Sequence, residues 1–373
     1  MRLEGMELRR VRLPLVEPFA TGHGIEAARD TLLVRVETSA GPGWGECAAL
    51  PTPGYSSEYT DGAQHVVRHH LAPLLFATGN VDTAHVTRTT LAPVAGHPMA
   101  KAALEMALLD AELRAAGRSL AQHLGATRTT VTAGVAVGLA PSIDELVQRV
   151  SGHVEAGYRR VKLKIQPRWD VEPVAAVRST FGDDLLLQVD ANAAYTLADA
   201  DHLSRLDAYH LVLIEQPLPA DDLCGHAELA RCLATPVCLD ETITSATVAA
   251  DAIALGACEV VNVKPGRVGG YLEAKRVHDV CVERGVPAWV GGMLETGLAR
   301  AANLALAALP GFTLPGDVSA SRRWFERDLT ITPAELNPDG TIDVPTTPGI
   351  GATPDPTALD EFTVAVEWVP RPG

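Results

Sequence analysis

The chain has 373 residues, 47% apolar and 21% charged, which is ample for two domains with sizeable cores and leaves no tract of disordered composition. The net charge of −15 argues against nucleic acid and against an anionic membrane as partners, and agrees with a divalent cation held by carboxylates. No apolar run approaches membrane-spanning length, no signal-type stretch follows Met1, and the six cysteines form no CxxC pair. A cytoplasmic protein with free thiols is the expectation.

The first ~130 residues repeat no strand–helix unit. Residues 6–15 and 31–38 alternate as strands do, and residues 18–24, punctuated by Pro18, Gly22 and Gly24, read as a loop. The clearest helix covers residues 99–116, where Ala102, Leu104, Ala107, Leu108, Ala111 and Leu113 supply apolar faces and Gly117 offers a C-cap. His69-His70 falls in another helical stretch and reads as surface rather than as a zinc site. From about residue 132 the rhythm changes. Short strands are expected at 133–138, 160–165, 185–190, 211–215, 236–240, 259–264 and 287–291, separated by amphipathic segments such as residues 197–206 and 246–254. A spacing near 25 residues is one βα unit, and seven or eight units imply a closed parallel barrel. An open doubly wound sheet is the alternative, disfavoured because no glycine-rich fingerprint follows the first strand. The last ~50 residues, rich in proline and glycine, are expected to return to the N-terminal domain. The division is therefore residues 1–130, 131–320 and 321–373.

Barrel enzymes present their chemistry at the C-terminal ends of the strands. Three successive strands end in Asp190, Glu215 and Asp240, spaced 25 and 25 residues apart. One such acid is commonly a helix cap; three in phase converge on one mouth and repel one another unless a cation intervenes. Oxygen donors without cysteine or histidine in phase favour Mg²⁺. In the strand ending at Ile165, Lys162 and Lys164 share one face, and across the ring another strand ends in Lys264. Lysines approaching a metal–carboxylate site from both sides suit removal of the proton α to a carboxylate, with the enediolate stabilised by the metal. A lysine acts as base at neutral pH once a second cation, such as Lys162 beside Lys164, depresses its pKa.

Taken together, Lys162-Leu163-Lys164, Asp190-Ala191-Asn192, Glu215-Gln216-Pro217, Asp240-Glu241-Thr242 and Lys264 resemble the enolase superfamily, in its muconate-lactonizing branch, across the whole barrel. Lys264-Pro-Gly-Arg267-Val-Gly-Gly, Gly291-Gly-Met293-Leu-Glu295-Thr-Gly, Trp44-Gly-Glu-Cys and Leu314-Pro-Gly-Asp317 resemble its o-succinylbenzoate synthase/N-succinylamino acid racemase group. The resemblance implies a (β/α)7β modified barrel with an α+β N-terminal capping domain, and likely-sized assemblies of identical subunits, that is, a homo-oligomer. It implies Asp190, Glu215 and Asp240 as ligands of Mg²⁺, with Mn²⁺ or Co²⁺ able to substitute. Lys164 and Lys264 would be the acid/base pair, with Lys162 neutralising the substrate carboxylate and tuning Lys164. Asn192 and Glu241 would support the metal ligands, and Arg267, Met293 and Glu295 would contact a small carboxylate substrate. Phe19 and Tyr55, on loops of the capping domain, are expected to cover that substrate. His23, Ala136, Val290 and Ala299 depart from the residues usual in the group, which bears on the shape of the pocket. Both racemisation of N-acylamino acids and the dehydration that forms o-succinylbenzoate in menaquinone biosynthesis fit one constellation. Dipeptide epimerisation or cycloisomerisation would keep the chemistry and change the substrate. A Schiff-base aldolase barrel leaves the three acids unexplained, and a noncatalytic binding protein leaves the lysines unexplained.

Overall fold

The computed structural model describes residues 1–81 and 84–372. Strands β1 (Leu3–Thr21) and β2 (Gly24–Thr38) pair antiparallel around a turn at Gly22-His23, and β3 (Gly41–Glu46) adds to β2. Residues 18–24, expected as a loop, are the tip of this hairpin: Phe19 pairs with Glu26 and Thr21 with Gly24. Pro18 misleads as a breaker because it lies in the register shift between Pro14 and Phe19, where no ladder donor is needed.

The long helix Pro98–Ala115 starts with proline in its first turn, and the Glu58 carboxylate accepts Met99 N and Ala100 N at 2.8 and 3.1 Å. It lies directly on β3 because Gly43 and Gly45 have no side chains. A Cβ there would stand 2.1 Å from Ala107 O and 2.0 Å from Ala103 O, so Gly45→Ala would pry the helix off the sheet.

After the short β4 (Thr130–Thr132) come seven strands: β5 (Gly134–Val137), β6 (Arg160–Lys164), β7 (Leu186–Asp190), β8 (Ile214–Glu215), β9 (Val237–Leu239), β10 (Val260–Val263) and β11 (Ala288–Val290). They form one parallel sheet in sequential order. The gap between β11 and β5 is bridged by extended chain: Gly316 O accepts Gly134 N at 2.9 Å, and Asp317 N donates to Val290 O at 2.9 Å. Residues 316–317 thus stand in the eighth stave, giving the (β/α)7β barrel. Helices fill most intervals, including Ile143–Glu155, capped by Ser142 Oγ, and Ala246–Leu255, capped by Ser245 Oγ. Residues 197–206 are not the single helix expected. They form a 3₁₀ turn (Leu197–Asp199), one α turn (Ala200–Leu203) and a second 3₁₀ stretch (Ser204–Tyr209). The two bonds that Thr196 N and Oγ1 donate to Asp199 Oδ2, and the Ser204 Oγ bond to Asp201 O, draw local backbone away from a regular i→i−4 ladder.

Alternation along the strands sorts the barrel interior into layers. Leu213, Cys238, Val260 and Trp289 form a small buried apolar plug. Two residues further along, Glu215, Asp240 and Asn262 stand above it. At the far end of the chain, β12 (Thr341–Asp343) pairs with β4, and β13 (Thr363–Pro370) pairs with β1, making the four-stranded order β13-β1-β2-β3. Among the described residues no helix is long and apolar enough to cross a membrane, and the six cysteines are free.

Candidate active site

In the parallel ladder Lys164 pairs with Asp190, and Asp190 pairs with Glu215; Asp240 stands two residues beyond Cys238, the partner of Glu215. The common phase of the three acids is therefore a structural register. Two loop residues hold it with left-handed backbone. Asn192 (φ 44°) places its N–H 3.0 Å from Asp190 Oδ1, and Gln216 (φ 39°) turns the chain directly after Glu215. The buried Gln216 amide then stitches two strand ends together. Its Oε1 accepts Asp240 N and Thr242 N at 2.9 and 3.2 Å, while its Nε2 donates to Thr242 Oγ1 and Leu218 O at 2.9 and 3.0 Å.

All three acids are buried, and each meets cations. Lys164 Nζ lies 2.7 Å from Asp190 and 2.6 Å from Asn192 Oδ1. Lys162 Nζ lies 2.9 Å from Glu215, 3.1 Å from Asp190 and 2.5 Å from Asp317. Lys264 Nζ and the Arg267 guanidinium reach the two oxygens of Asp240 at 2.7 and 2.6 Å. Asn192 Nδ2 donates to Glu241 at 3.0 Å, and Asn262 Nδ2 to Glu215 at 2.7 Å. Among the described residues no three His, Cys, Asp or Glu side chains share one coordination shell, because the rotamers turn each carboxylate onto its cations. The donor set nevertheless suits a hard divalent ion: buried carboxylate oxygens at the ends of three neighbouring strands, with no histidine or cysteine among them.

Charge balance is strained in this arrangement. Burial and then Asp190 push the Glu215 carboxyl up to about 8, against the pull of Lys162. Burial and then Asp240 push Glu241 up to about 7. Against the same burial, Arg267 and Lys264 hold Asp240 well below the usual carboxylate range. Lys162 and Lys264 are both held in the charged form. Burial disfavours their charge, but Asp317 and Glu215 hold Lys162 well above its ordinary value, and Asp240 does the same for Lys264. Asp317, matched in the sequence only as part of the Leu314-Pro-Gly-Asp317 motif and given no role there, neutralises Lys162 and also bonds the buried Arg160 at 2.6 Å. Trp289 was missed as well; its ring lies 5.1 Å from Lys162 Nζ and 5.2 Å from the Arg160 guanidinium.

These groups border a cavity of about 860 Å³, open at its mouth. Lys162, Lys164, Lys264 and Asn192 are on its wall, as are Phe19, Tyr55, Met293 and Glu295. Phe19 packs edge-on against Trp324 with ring centroids 5.0 Å apart. The Tyr55 hydroxyl accepts from Lys264 at 3.0 Å and Arg267 at 2.6 Å, and donates to Asp240 at 3.3 Å. Asp190, Glu215, Asp240 and Glu241 lie outside the lining. So does Arg267, expected to contact substrate: it is buried, with Nε on Ile243 O and Nη2 on Asn262 O. Its guanidinium is used up in placing Asp240 and Tyr55. His23 and Ala136 line the cavity; Val290 and Ala299 do not.

Comparison with known proteins agrees with this geometry. Residues 145–358 match the family described as enolase C-terminal domain-like, and residues 5–125 match the mandelate racemase/muconate lactonizing enzyme N-terminal domain. The chain is 59% identical over 369 residues to an N-succinylamino acid racemase of an Amycolatopsis species, covering 99% of this chain and 100% of that one. It is 44% identical over 364 residues to an o-succinylbenzoate synthase of Geobacillus kaustophilus, covering 97% and 96%. The crystal structure of an enolase superfamily member from Listeria innocua superposes with a TM-score of 0.95 at 38% identity, covering all of both chains. Sequence, register and fold together establish that the chain belongs to the enolase superfamily, in its mandelate racemase/muconate lactonizing enzyme division.

Proposed function

We propose that this chain racemises N-acylated amino acids, N-succinylamino acids among them, by abstracting the α-proton of the carboxylate substrate to form an enediolate. One observation carries the reading: Lys164 on β6 and Lys264 beyond β10 border the same cavity from different staves, with the acids of β7, β8 and β9 between them. Racemisation needs one proton carrier on each face of the planar intermediate, and two lysines so placed supply them. The 59% identity to an N-succinylamino acid racemase supports the substrate class.

Members of this superfamily are Mg²⁺-dependent. We assign Asp190, Glu215 and Asp240 to hold the ion, with Asn192, Glu241 and Gln216 fixing their orientation. Bound there, Mg²⁺ would stabilise the charge that develops on the substrate carboxylate. Lys162 places a fixed cation where that carboxylate enters, and Asp317 keeps Lys162 protonated. Lys164 takes or returns the proton on one face and Lys264 on the other. Tyr55 orients Lys264, and Phe19 with Trp324 shields the mouth from water. The same reading divides the chain into a capping domain (1–130), a catalytic barrel (131–320) and a C-terminal segment (321–373) in a cytoplasmic enzyme.

The 44% identity to an o-succinylbenzoate synthase supports dehydration as a second activity of the site. That reaction needs one lysine for the proton and leaves the other to stabilise the enediolate. The test is proton NMR in D₂O with each enantiomer of N-succinylphenylalanine, beside an ultraviolet assay for o-succinylbenzoate formation. Deuterium entering Cα with loss of optical activity, abolished by EDTA, is expected. Absence of exchange with either enantiomer would refute the racemase, and dehydration alone would leave only the synthase.

A further inference from the structure

Alternation in the β1–β2 hairpin turns one set of side chains toward the cavity. Phe19, its cross-strand partner Glu26, and Thr21 all line it, while Ile25 between them is exposed. The hairpin is held on the barrel mouth. Ala20 O accepts Leu139 N at 2.9 Å, Phe19 packs on Trp324, and Glu17 pairs with Arg323 at 2.8 Å. Glu26 is consequently a half-buried carboxylate fixed on the substrate wall.

Among the described residues Glu26 has no hydrogen-bond or ion-pair partner. Arg29, the cation whose charge acts on it, is wholly buried and donates to Ala49 O, Cys47 O and Thr31. Asp30 adds like charge and is itself engaged by Arg10. Burial raises the Glu26 pKa, which is the electrostatic signature of a carboxylate whose counter-charge is missing. His23, at the turn of the same hairpin, offers none, since burial and then Lys164 press it toward the neutral form. The cavity is therefore cationic at the lysines and anionic at the hairpin. Leu50, Met293 and Leu294 line the same cavity, an apolar wall that suits an aliphatic stem.

We infer that Glu26 is a specificity-determining residue that favours substrates whose side chain carries an ammonium or guanidinium at the end of an aliphatic stem. This rests on the racemase reading above. The amine at Cα is acylated in such substrates, so the side chain supplies their only cation. Of the carboxylates on the wall, Asp317 is paired with Lys162 and Glu295 accepts from Asn303, which leaves Glu26, without a partner, to receive it. A partly buried charge-assisted hydrogen bond of this kind is worth roughly fivefold to tenfold in kcat/KM.

The test compares kcat/KM for N-succinyl-L-lysine and N-succinyl-L-norleucine, which share a stem and differ in the ammonium, in the wild-type enzyme and in Glu26→Gln. A wild-type preference for the lysine substrate that falls about fivefold or more in Glu26→Gln is expected. A lysine-to-norleucine ratio left unchanged, or equal losses on both substrates, would overturn the assignment of Glu26 while leaving the racemase intact. No α-proton exchange with either substrate in the wild-type enzyme would overturn both.

Discussion

Gln216 makes no contact with the cavity, yet the geometry of the acids depends on it. Gln216→Ala removes two donors and one shared acceptor from a fully buried site. Asp240 N and Thr242 N then lose that acceptor, whereas Thr242 Oγ1 keeps its bond to Ala220 O. Two buried donors left unmade, together with the lost donor bonds, come to about 3–5 kcal/mol. The backbone offers no relief, since alanine tolerates φ near 39° no better than glutamine does. In a protein of this size that loss lowers Tm by roughly 4–6 °C. Because the Asp240 strand end is freed, Mg²⁺ affinity should fall about 10-fold to 100-fold. Thermal unfolding followed by two spectroscopic probes and titration with Mg²⁺ measure both, and Gln216→Met separates the hydrogen bonds from the cavity. A variant within 2 °C of wild type by the ~1 kcal/mol scale of that relation, with unchanged Mg²⁺ affinity, would show that the strand ends are positioned by something else.

Two further perturbations probe buried charge. Glu105 joins the capping domain to the barrel, its carboxylate accepting Leu272 N at 3.1 Å, and burial is the chief cause raising it from 4.5 to about 7. A carboxyl with a raised folded pKa contributes stability that is complete below about 4.5 and lost as pH rises through about 7, at most about 3 kcal/mol here. Glu105→Gln should therefore gain on wild type between pH 5 and pH 8 in urea midpoints; a constant gap would contradict this. Asp317→Ala strips the counter-charge from the buried Arg160 and reduces that of Lys162, and should cost about 3–5 kcal/mol. Asp317→Asn, which keeps an acceptor but also removes the charge, should cost nearly as much, and a near-neutral Asp317→Asn would argue against a charge role.

What could be read in the sequence followed from periodicity. The 25-residue spacing of Asp190, Glu215 and Asp240 survives as register because one βα unit separates neighbouring staves of a parallel sheet. The alternation around Lys162 and Lys164 likewise survives as an inward face. What escaped depends on contacts between distant segments. Asp317 stands out in its motif, but it lies 155 residues after Lys162 with no periodic relation to it, so neither its pairing with that lysine nor its place in closing the barrel was legible. Arg267 looked like a substrate contact because its charge is conspicuous in the motif; only packing shows both sides of its guanidinium occupied. The hairpin tip was obscured by Pro18 and two glycines, since pairing across strands overrides local turn signals.

The most direct test of the two-base account is solvent exchange by single-lysine variants. Lys164→Ala and Lys264→Ala are each incubated in D₂O with Mg²⁺ and either enantiomer of N-succinylphenylalanine, and deuterium at Cα is followed by proton NMR. Neither variant should racemise, and each should retain exchange with one enantiomer at most, the two variants in opposite senses. A variant that still racemises, or two variants that exchange the same enantiomer, would contradict a lysine on each face of the enediolate.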